Sequence, residues 1–282
     1  MDKVFAIVTP AHSAQATLMA TVRSVLAQTD PDWRLYIVAD DGFDYRQMLE
    51  AQGVADSRFT FLSSGGIGRG ASQARNVALD LVAEPYVAIL DADDRFKPEK
   101  LARLREALAT HAIVTCALDV MSQDFSHLRF VGAGESRPMR PGAHKWTSLS
   151  MDSMVAWDRR RTDARYDPTL SNMTDLELLL QLWQRAQTSF HFGTPLHDYI
   201  KRPTSMSNGA NVAAGMIRSK TEIRRRLLAG HYALAEAEAA GVVAFLDVSL
   251  AAERSYETAL AARPGLLFED HVEPMLRAAR PG

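Results

Sequence analysis

The chain has 282 residues, 47% apolar and 23% charged, enough to bury the core of one large domain or of a domain with an appendage. Its formal net charge of −2 argues against nucleic acid as a partner, because proteins that bind phosphate backbones carry a strong basic excess. No apolar stretch approaches the roughly 18 residues of a membrane-spanning helix, so no transmembrane segment is expected. The run Val4–Val8 meets Thr9-Pro10 at once, so no secretion signal is expected either. The single cysteine, Cys116, lies among apolar neighbours and reads as a core filler, which fits a reducing, cytoplasmic compartment.

In chain order, Val4–Val8 reads as a buried strand, followed by Leu18, Val22, Val25 and Leu26 at helical spacing with Ser13 as N-cap. Trp33–Ala39 is a second strand ending at Asp40-Asp41-Gly42; residues 45–52 read as a short helix and Phe59–Leu62 as a third strand. The Gly-rich segment Gly65–Gly70 leads into a helix carrying Ala74, Val77, Ala78 and Leu81. Tyr86–Leu90 is a continuous apolar strand that stops at Asp91. Pro98 suits the first position of the next helix, with Leu101, Leu104 and Leu108 on one face, and Ile113–Leu118 is a further strand. Such alternation predicts an α/β fold with a mostly parallel sheet and helices on both faces.

Residues 132–150 read as a mobile loop, and Thr174 to Gln187 as a helix burying Leu176, Leu179, Leu180 and Trp183. From about residue 214 the pattern changes to Ala-, Glu- and Arg-rich helices. The expected division is therefore 1–213, with a nucleotide-binding half to residue 120 and an acceptor-side half over 121–213, followed by a helical C-terminal region over 214–282. The basic run Arg159-Arg160-Arg161 reads as a solvated loop.

In parallel α/β sheets ligands bind beyond the carboxyl ends of strands. Three strand ends here are polar. In Asp91-Ala92-Asp93-Asp94, residues two apart point the same way, so Asp91 and Asp93 can converge on one ligand. Three carboxylates so close together repel unless a cation shares them, and hard oxygen ligands suit Mg²⁺ or Mn²⁺, which commonly bridge to a diphosphate. Asp94 also fits as a helix N-terminal carboxylate. An Asp in Asp40-Asp41-Gly42 can accept hydrogen bonds from a base or ribose, although Asp-Gly is ordinary turn chemistry. Thr9-Pro10-Ala11-His12 forms the third strand end. The glycines before the Arg75-Asn76 helix are a candidate anion site.

Taken together, these segments resemble family 2 glycosyltransferases with the GT-A fold. Val4–Pro10 is similar to the family's opening strand, and Ser24-Val25-Leu26-Ala27-Gln28-Thr29 to its "S-[VIL]-L-x-Q-T" helix end. Asp40-Asp41-Gly42 resembles "D-D-G-S", Ala74-Arg75-Asn76 resembles "A-R-N", and Leu90–Asp94 resembles "L-D-A-D-D". Further on, Thr174–Leu178 resembles "E-D-x-E-L" and Tyr199–Ser207 resembles "Y-R-x-H-x-x-S-M-S". Departures from the pattern are Phe43 for Ser, His12 for Asn, Thr174 for Glu, Gln181 for a frequent Arg, and Arg202 where His is common.

The resemblance implies inverting transfer from a nucleoside-diphosphate sugar, UDP-linked in most of the family, to an acceptor hydroxyl. Thr9, Pro10 and Ala11 would line the base pocket, Asp41 and Arg75 would contact the base, and Ala92 would lie against the donor. Asp93, with Asp91 and Asp94, would hold Mn²⁺ or Mg²⁺. Asp175 would be the catalytic base, with Glu177 as the fallback. The acceptor is open among a glycan, a lipid-linked sugar, a protein and a small metabolite. A lipid acceptor would be met peripherally at the inner membrane face. The tail helices are a candidate homodimer interface. Competing readings are a nucleotidyltransferase, which would carry a Gly-rich basic loop that Thr9–Ala14 lacks, and a non-catalytic nucleotide-sugar-binding relative.

Overall fold

The computed structural model describes residues 4–147, 154–202 and 212–279. Its strands, in order, are β1 (Phe5–Ala11), β2 (Trp33–Ala39), β3 (Phe59–Ser63), β4 (Tyr86–Ile89), β5 (Arg95–Phe96), β6 (Ile113–Met121), β7 (His127–Val131), β8 (Arg137–Met139), β9 (Val155–Asp158) and β10 (Ser189–Ile200). All ten belong to one sheet of order β3-β2-β1-β4-β9-β6-β10-β5, with β7 on β6 and β8 on β10. Strands β1 to β4, β6 and β10 run the same way, and β9, β5, β7 and β8 run against them. The sheet is mostly parallel, as expected. Its central strands are apolar throughout because neighbouring strands and helices cover them: Phe5, Ile7, Val8, Val38, Val87 and Ile89 are fully buried.

The helices are α1 (Leu18–Leu26), α2 (Tyr45–Ala51), α3 (Ala71–Leu81), α4 (Lys100–Leu108), α5 (Pro141–Thr147), α6 (Thr174–Ala186), α7 (Val212–Leu228), α8 (Glu236–Ala262) and α9 (Phe268–Ala279). Three local expectations are corrected. Ser13 does not cap α1: it takes a left-handed φ of 53°, and Thr17 occupies the N-cap four residues later. Pro98 precedes α4 by two residues, and its carbonyl accepts from Thr29 N–H at 2.9 Å. Residues 132–147 of the expected mobile loop hold β8 and α5, and 148–150 lie outside the described residues.

The helical tail packs back on the rest of the chain. Helix α8 crosses α5 so closely that a Cβ on Gly241 would lie 2.7 Å from Gly142 Cα, an approach only glycine permits. Helix α9 is tied to β7 through Arg129, which pairs with Asp270 and Glu273. Among the described residues no helix is long and apolar enough to cross a membrane.

Candidate active site

The sheet order sets β2, β1 and β4 side by side in parallel, so their polar carboxyl ends open on one edge. Pairing of Ala11 with Ala39 and of Val8 with Ile89 brings Thr9–Ala11, Asp40–Gly42 and Leu90–Asp94 to neighbouring levels. Thr9 is fully buried, and its hydroxyl has no hydrogen-bond partner among the described residues. Pro10 is half-buried, while Ala11 and Ala92 are buried.

The segment after β4 is held from behind by the end of α1. Thr21 Oγ1 donates to the Asp94 carbonyl at 2.8 Å, and Ser24 Oγ accepts from Phe96 N–H at 3.1 Å. The Gln28 amide donates to the Lys97 carbonyl at 2.8 Å and accepts from Leu101 N–H at 3.0 Å. This is what the Ser and Gln of the α1 motif do: one helix end fixes the backbone on either side of β5.

Asp91 pairs with Arg75 of α3 at 2.5 Å. The guanidinium of Arg75 is buried and lies 5.0 Å from the centre of the Tyr166 ring. Tyr166 is fixed in turn by Asn76, whose side chain donates to the Tyr166 carbonyl at 2.8 Å and accepts from its N–H at 2.9 Å. Adjacent residues of one helix thus hold a site carboxylate and the loop behind it.

Asp93 lies 3.3 Å from the Arg202 guanidinium. Burial, reinforced by the neighbouring Asp91 charge, lifts its carboxyl to about 6, with Arg202 opposing. Asp94 turns the other way. It is fully buried, one oxygen 2.9 Å from His197 Nε2 and the other accepting from Ile200 N–H at 2.9 Å. His197 Nδ1 lies 3.3 Å from Lys100 Nζ. Burial, with Asp93 and Asp91 close by, raises Asp94 well above the usual carboxylate range; burial also pushes His197 well down and Lys100 down to about 8. Asp94 locks β5 to β10 instead of extending the acidic pair, because the antiparallel register sets His197 opposite Phe96. Among the described residues no three His, Cys, Asp or Glu side chains gather as a metal group.

The two Asp residues after β2 divide their work. Asp40 is buried and accepts from Ser64 Oγ (2.6 Å), Arg69 N–H (2.9 Å) and Gly70 N–H (2.9 Å). The chain's own Asp40 carboxylate therefore takes the Arg69 and Gly70 N–H groups of the turn just before α3. Asp41 accepts from Ser13 N–H (2.8 Å), Tyr45 Oη (2.7 Å) and Phe43 N–H (3.1 Å). Partial burial opposes its ionisation, but the bonds from Tyr45, Ser13 and Phe43 hold it below the usual range.

Asp175 opens α6 and makes its charged contact elsewhere: Lys145 Nζ of α5 lies 3.8 Å from its Oδ2, an atom with no hydrogen bond among the described residues. Glu177 is buried against Gln181 (2.7 Å) and Tyr232 (3.2 Å), and burial raises its carboxyl. Gln181 also donates to the Arg165 carbonyl at 2.7 Å, so it serves the loop before α6. The run Arg159-Arg160-Arg161 is engaged by Asp163, Asp158 and the Thr110 carbonyl. Pro203, Ser205, Met206 and Ser207 lie outside the described residues. Sequence reasoning missed Lys100, Lys145, Tyr166 and His197. None had a local signal: Lys100 shares α4 with Arg103, Arg105 and Glu106, and His197 stands next to Asp198 in β10.

A sequence model of the family described as Glycosyl transferase family 2 matches residues 6–153. The putative teichuronic acid biosynthesis glycosyltransferase TuaG of Bacillus subtilis (strain 168) is 29% identical over 214 residues, 74% of this chain and 83% of that protein. The fold is similar to that of S. aureus TarS 1-349 in complex with UDP-GlcNAc (TM-score 0.68, 15% identity, 98% of this chain and 79% of that one). It is also similar to the mannosyltransferase PcManGT from Pyrobaculum calidifontis in complex with GDP-Man and Mn²⁺ (TM-score 0.59, 12% identity, 99% and 86%). At these identities the two solved structures bear on fold alone.

Proposed function

The chain belongs to glycosyl transferase family 2, and from that premise we propose that it transfers a sugar from a nucleoside-diphosphate donor to an acceptor hydroxyl, with inversion and with a divalent cation. The observation that carries this reading is the pair Asp91 and Asp93 at the carboxyl end of β4, each matched by one guanidinium, from Arg75 and Arg202. Both carboxylates are partly accessible, with side-chain exposures of 31% and 35%.

Two neighbouring carboxylates, with Asp93 lifted to about 6 by burial and then by the Asp91 charge, fit a divalent cation, since Mg²⁺ and Mn²⁺ take one or two protein carboxylates together with substrate phosphates. Asp93 and Asp91 would hold it, and when bound it neutralises charge on the departing diphosphate. Asp94 is left out of this set because both of its oxygens face inward. The base of the donor lies against Thr9, Pro10 and Ala11, with Asp41 and Arg75 beside it and Ala92 facing the diphosphate side. Asp175 accepts the proton of the attacking hydroxyl. An aspartate is a weak base at neutral pH, so its placement supplies much of the effect.

UDP-sugars are the first donors to test and GDP-mannose the second, because the similar folds bind one of each. The test is nucleotide release from UDP-glucose, UDP-N-acetylglucosamine and GDP-mannose with Mn²⁺, for the wild-type chain and Asp175→Asn. Release by the wild type and its loss in the variant are expected. Equal release by both sinks the assignment of Asp175.

A further inference from the structure

Residues of α8 grip α5 at four points. The Gly142 N–H donates to Glu238 Oε2 at 2.8 Å, capping the start of α5 from outside. Gly241 and Gly142 meet backbone to backbone. The Trp146 indole N–H donates to the Gly241 carbonyl at 3.1 Å, and its ring packs edge-on to Phe245 at 6.3 Å. A helix of seven residues is too short to hold itself, so α5 keeps its shape and position through α8. Between these contacts sits Lys145, buried, with its ammonium 5.3 Å from the centre of the Phe245 ring and 3.8 Å from Asp175 Oδ2. Deeper in the same layer Lys220 of α7 pairs with Glu253 of α8 at 2.5 Å, both buried.

At 3.8 Å the Lys145 ammonium attracts the Asp175 carboxylate without forming a normal hydrogen bond. Oδ2 is buried and takes no hydrogen bond among the described residues, so the Lys145 charge is what orients that side of the carboxylate. Lys220 also lies within charge range of Asp175, but Lys145 is the cation 3.8 Å from Oδ2, so its removal takes away the near charge that sets this oxygen's place. We propose that Lys145 is the positioning residue for Asp175, and that α8, by docking α5, makes the C-terminal helices part of the catalytic apparatus. This rests on the reading of Asp175 as the base.

The test compares Lys145→Met, Lys145→Arg, Phe245→Leu and Asp175→Asn in nucleotide release from UDP-glucose, UDP-N-acetylglucosamine and GDP-mannose. Lys145→Met is expected to lower kcat about 100-fold with donor KM unchanged, the cost of misplacing a reacting group by about 1 Å. Lys145→Arg should recover part of the loss, since it keeps the cation. Phe245→Leu retains both charges and an apolar side chain, keeping the test open if Lys145→Met fails to fold; a smaller fall in kcat at constant KM is expected. Amide exchange over residues 174–178 should quicken in Lys145→Met and not in Lys145→Arg. If Asp175→Asn loses release while Lys145→Met and Phe245→Leu keep wild-type kcat and exchange, the proposal is overturned and the base reading stands. If Asp175→Asn keeps release, the base reading itself is overturned and this proposal with it.

Discussion

Asn76 grips both backbone groups of Tyr166, a residue 90 positions further along the chain. That clamp places the Tyr166 ring beside Arg75, and Arg75 in turn holds Asp91. Replacing Asn76 with Ala is expected to cost about 1–3 kcal/mol, because the Tyr166 N–H and carbonyl lose their partner in a buried setting. Urea denaturation measures that loss. A variant as stable as the wild type would show that the clamp can be replaced locally.

Asp94 is expected to matter for stability instead of cation affinity. Asp94→Ala strands His197 Nε2 and the Ile200 N–H inside the sheet, each at about 1–3 kcal/mol. Chemical denaturation should show a loss of several kcal/mol, while Mn²⁺-dependent nucleotide binding by the folded fraction persists. Lost cation dependence at unchanged stability would return Asp94 to the cation.

The buried carboxylate of Asp40 organises the Gly-rich turn before α3 through Ser64, Arg69 and Gly70. Asp40→Ala leaves those donors unmatched, so a destabilisation of about 2 kcal/mol or more is expected, with weakened nucleotide binding. Asp40→Asn keeps the shape and can still accept from one side, so it should lie between the two. Equal stability of all three proteins contradicts this role.

The raised carboxyl of Asp93 gives a pH dependence with a definite sign. Its pKa is about 6 when folded and ordinary when unfolded, so the native state binds the extra proton between those values. Above about pH 6 the ionised form destabilises the cation-free protein; the penalty is relieved as pH falls through 6 and is gone below the unfolded value. Cation binding needs the ionised form, so Mn²⁺-dependent nucleotide binding should weaken as pH falls through about 6. Titration calorimetry at pH 5, 6 and 7 measures it, and affinity that is flat or rises toward pH 5 contradicts the assignment.

Much of the edge formed by β1, β2 and β4 was legible because buried parallel strands write themselves as unbroken apolar runs. Val87–Ile89 followed by Asp91, and Leu35–Val38 followed by Asp40, announce both strand and edge. The far side of the sheet was hidden. Strand β9 has only four residues, and β10 carries Gly193 and Pro195 at its register shifts, residues that argue against a strand when read locally. Helix α5 looked like a loop because Gly142 reflects contact with α8, almost 100 residues later, and Pro141 opens the helix at its first position. For the same reason the contacts of Asp94 with His197 and Ile200 were hidden, since both lie more than 100 residues away. Local spacing identifies which residues reach the edge, and long-range pairing decides which way each one turns.

The most direct test of the whole account is the thermal stability of the wild-type chain and of Asp93→Asn, each with UDP or GDP, with and without Mn²⁺. A nucleotide present at 100 times its dissociation constant stabilises the native state by about 2.7 kcal/mol, a visible rise in melting temperature. The account predicts a Mn²⁺-dependent rise with one of the two nucleotides in the wild type and its loss in Asp93→Asn. A wild-type chain that neither nucleotide stabilises, or a variant that responds as the wild type does, would contradict it.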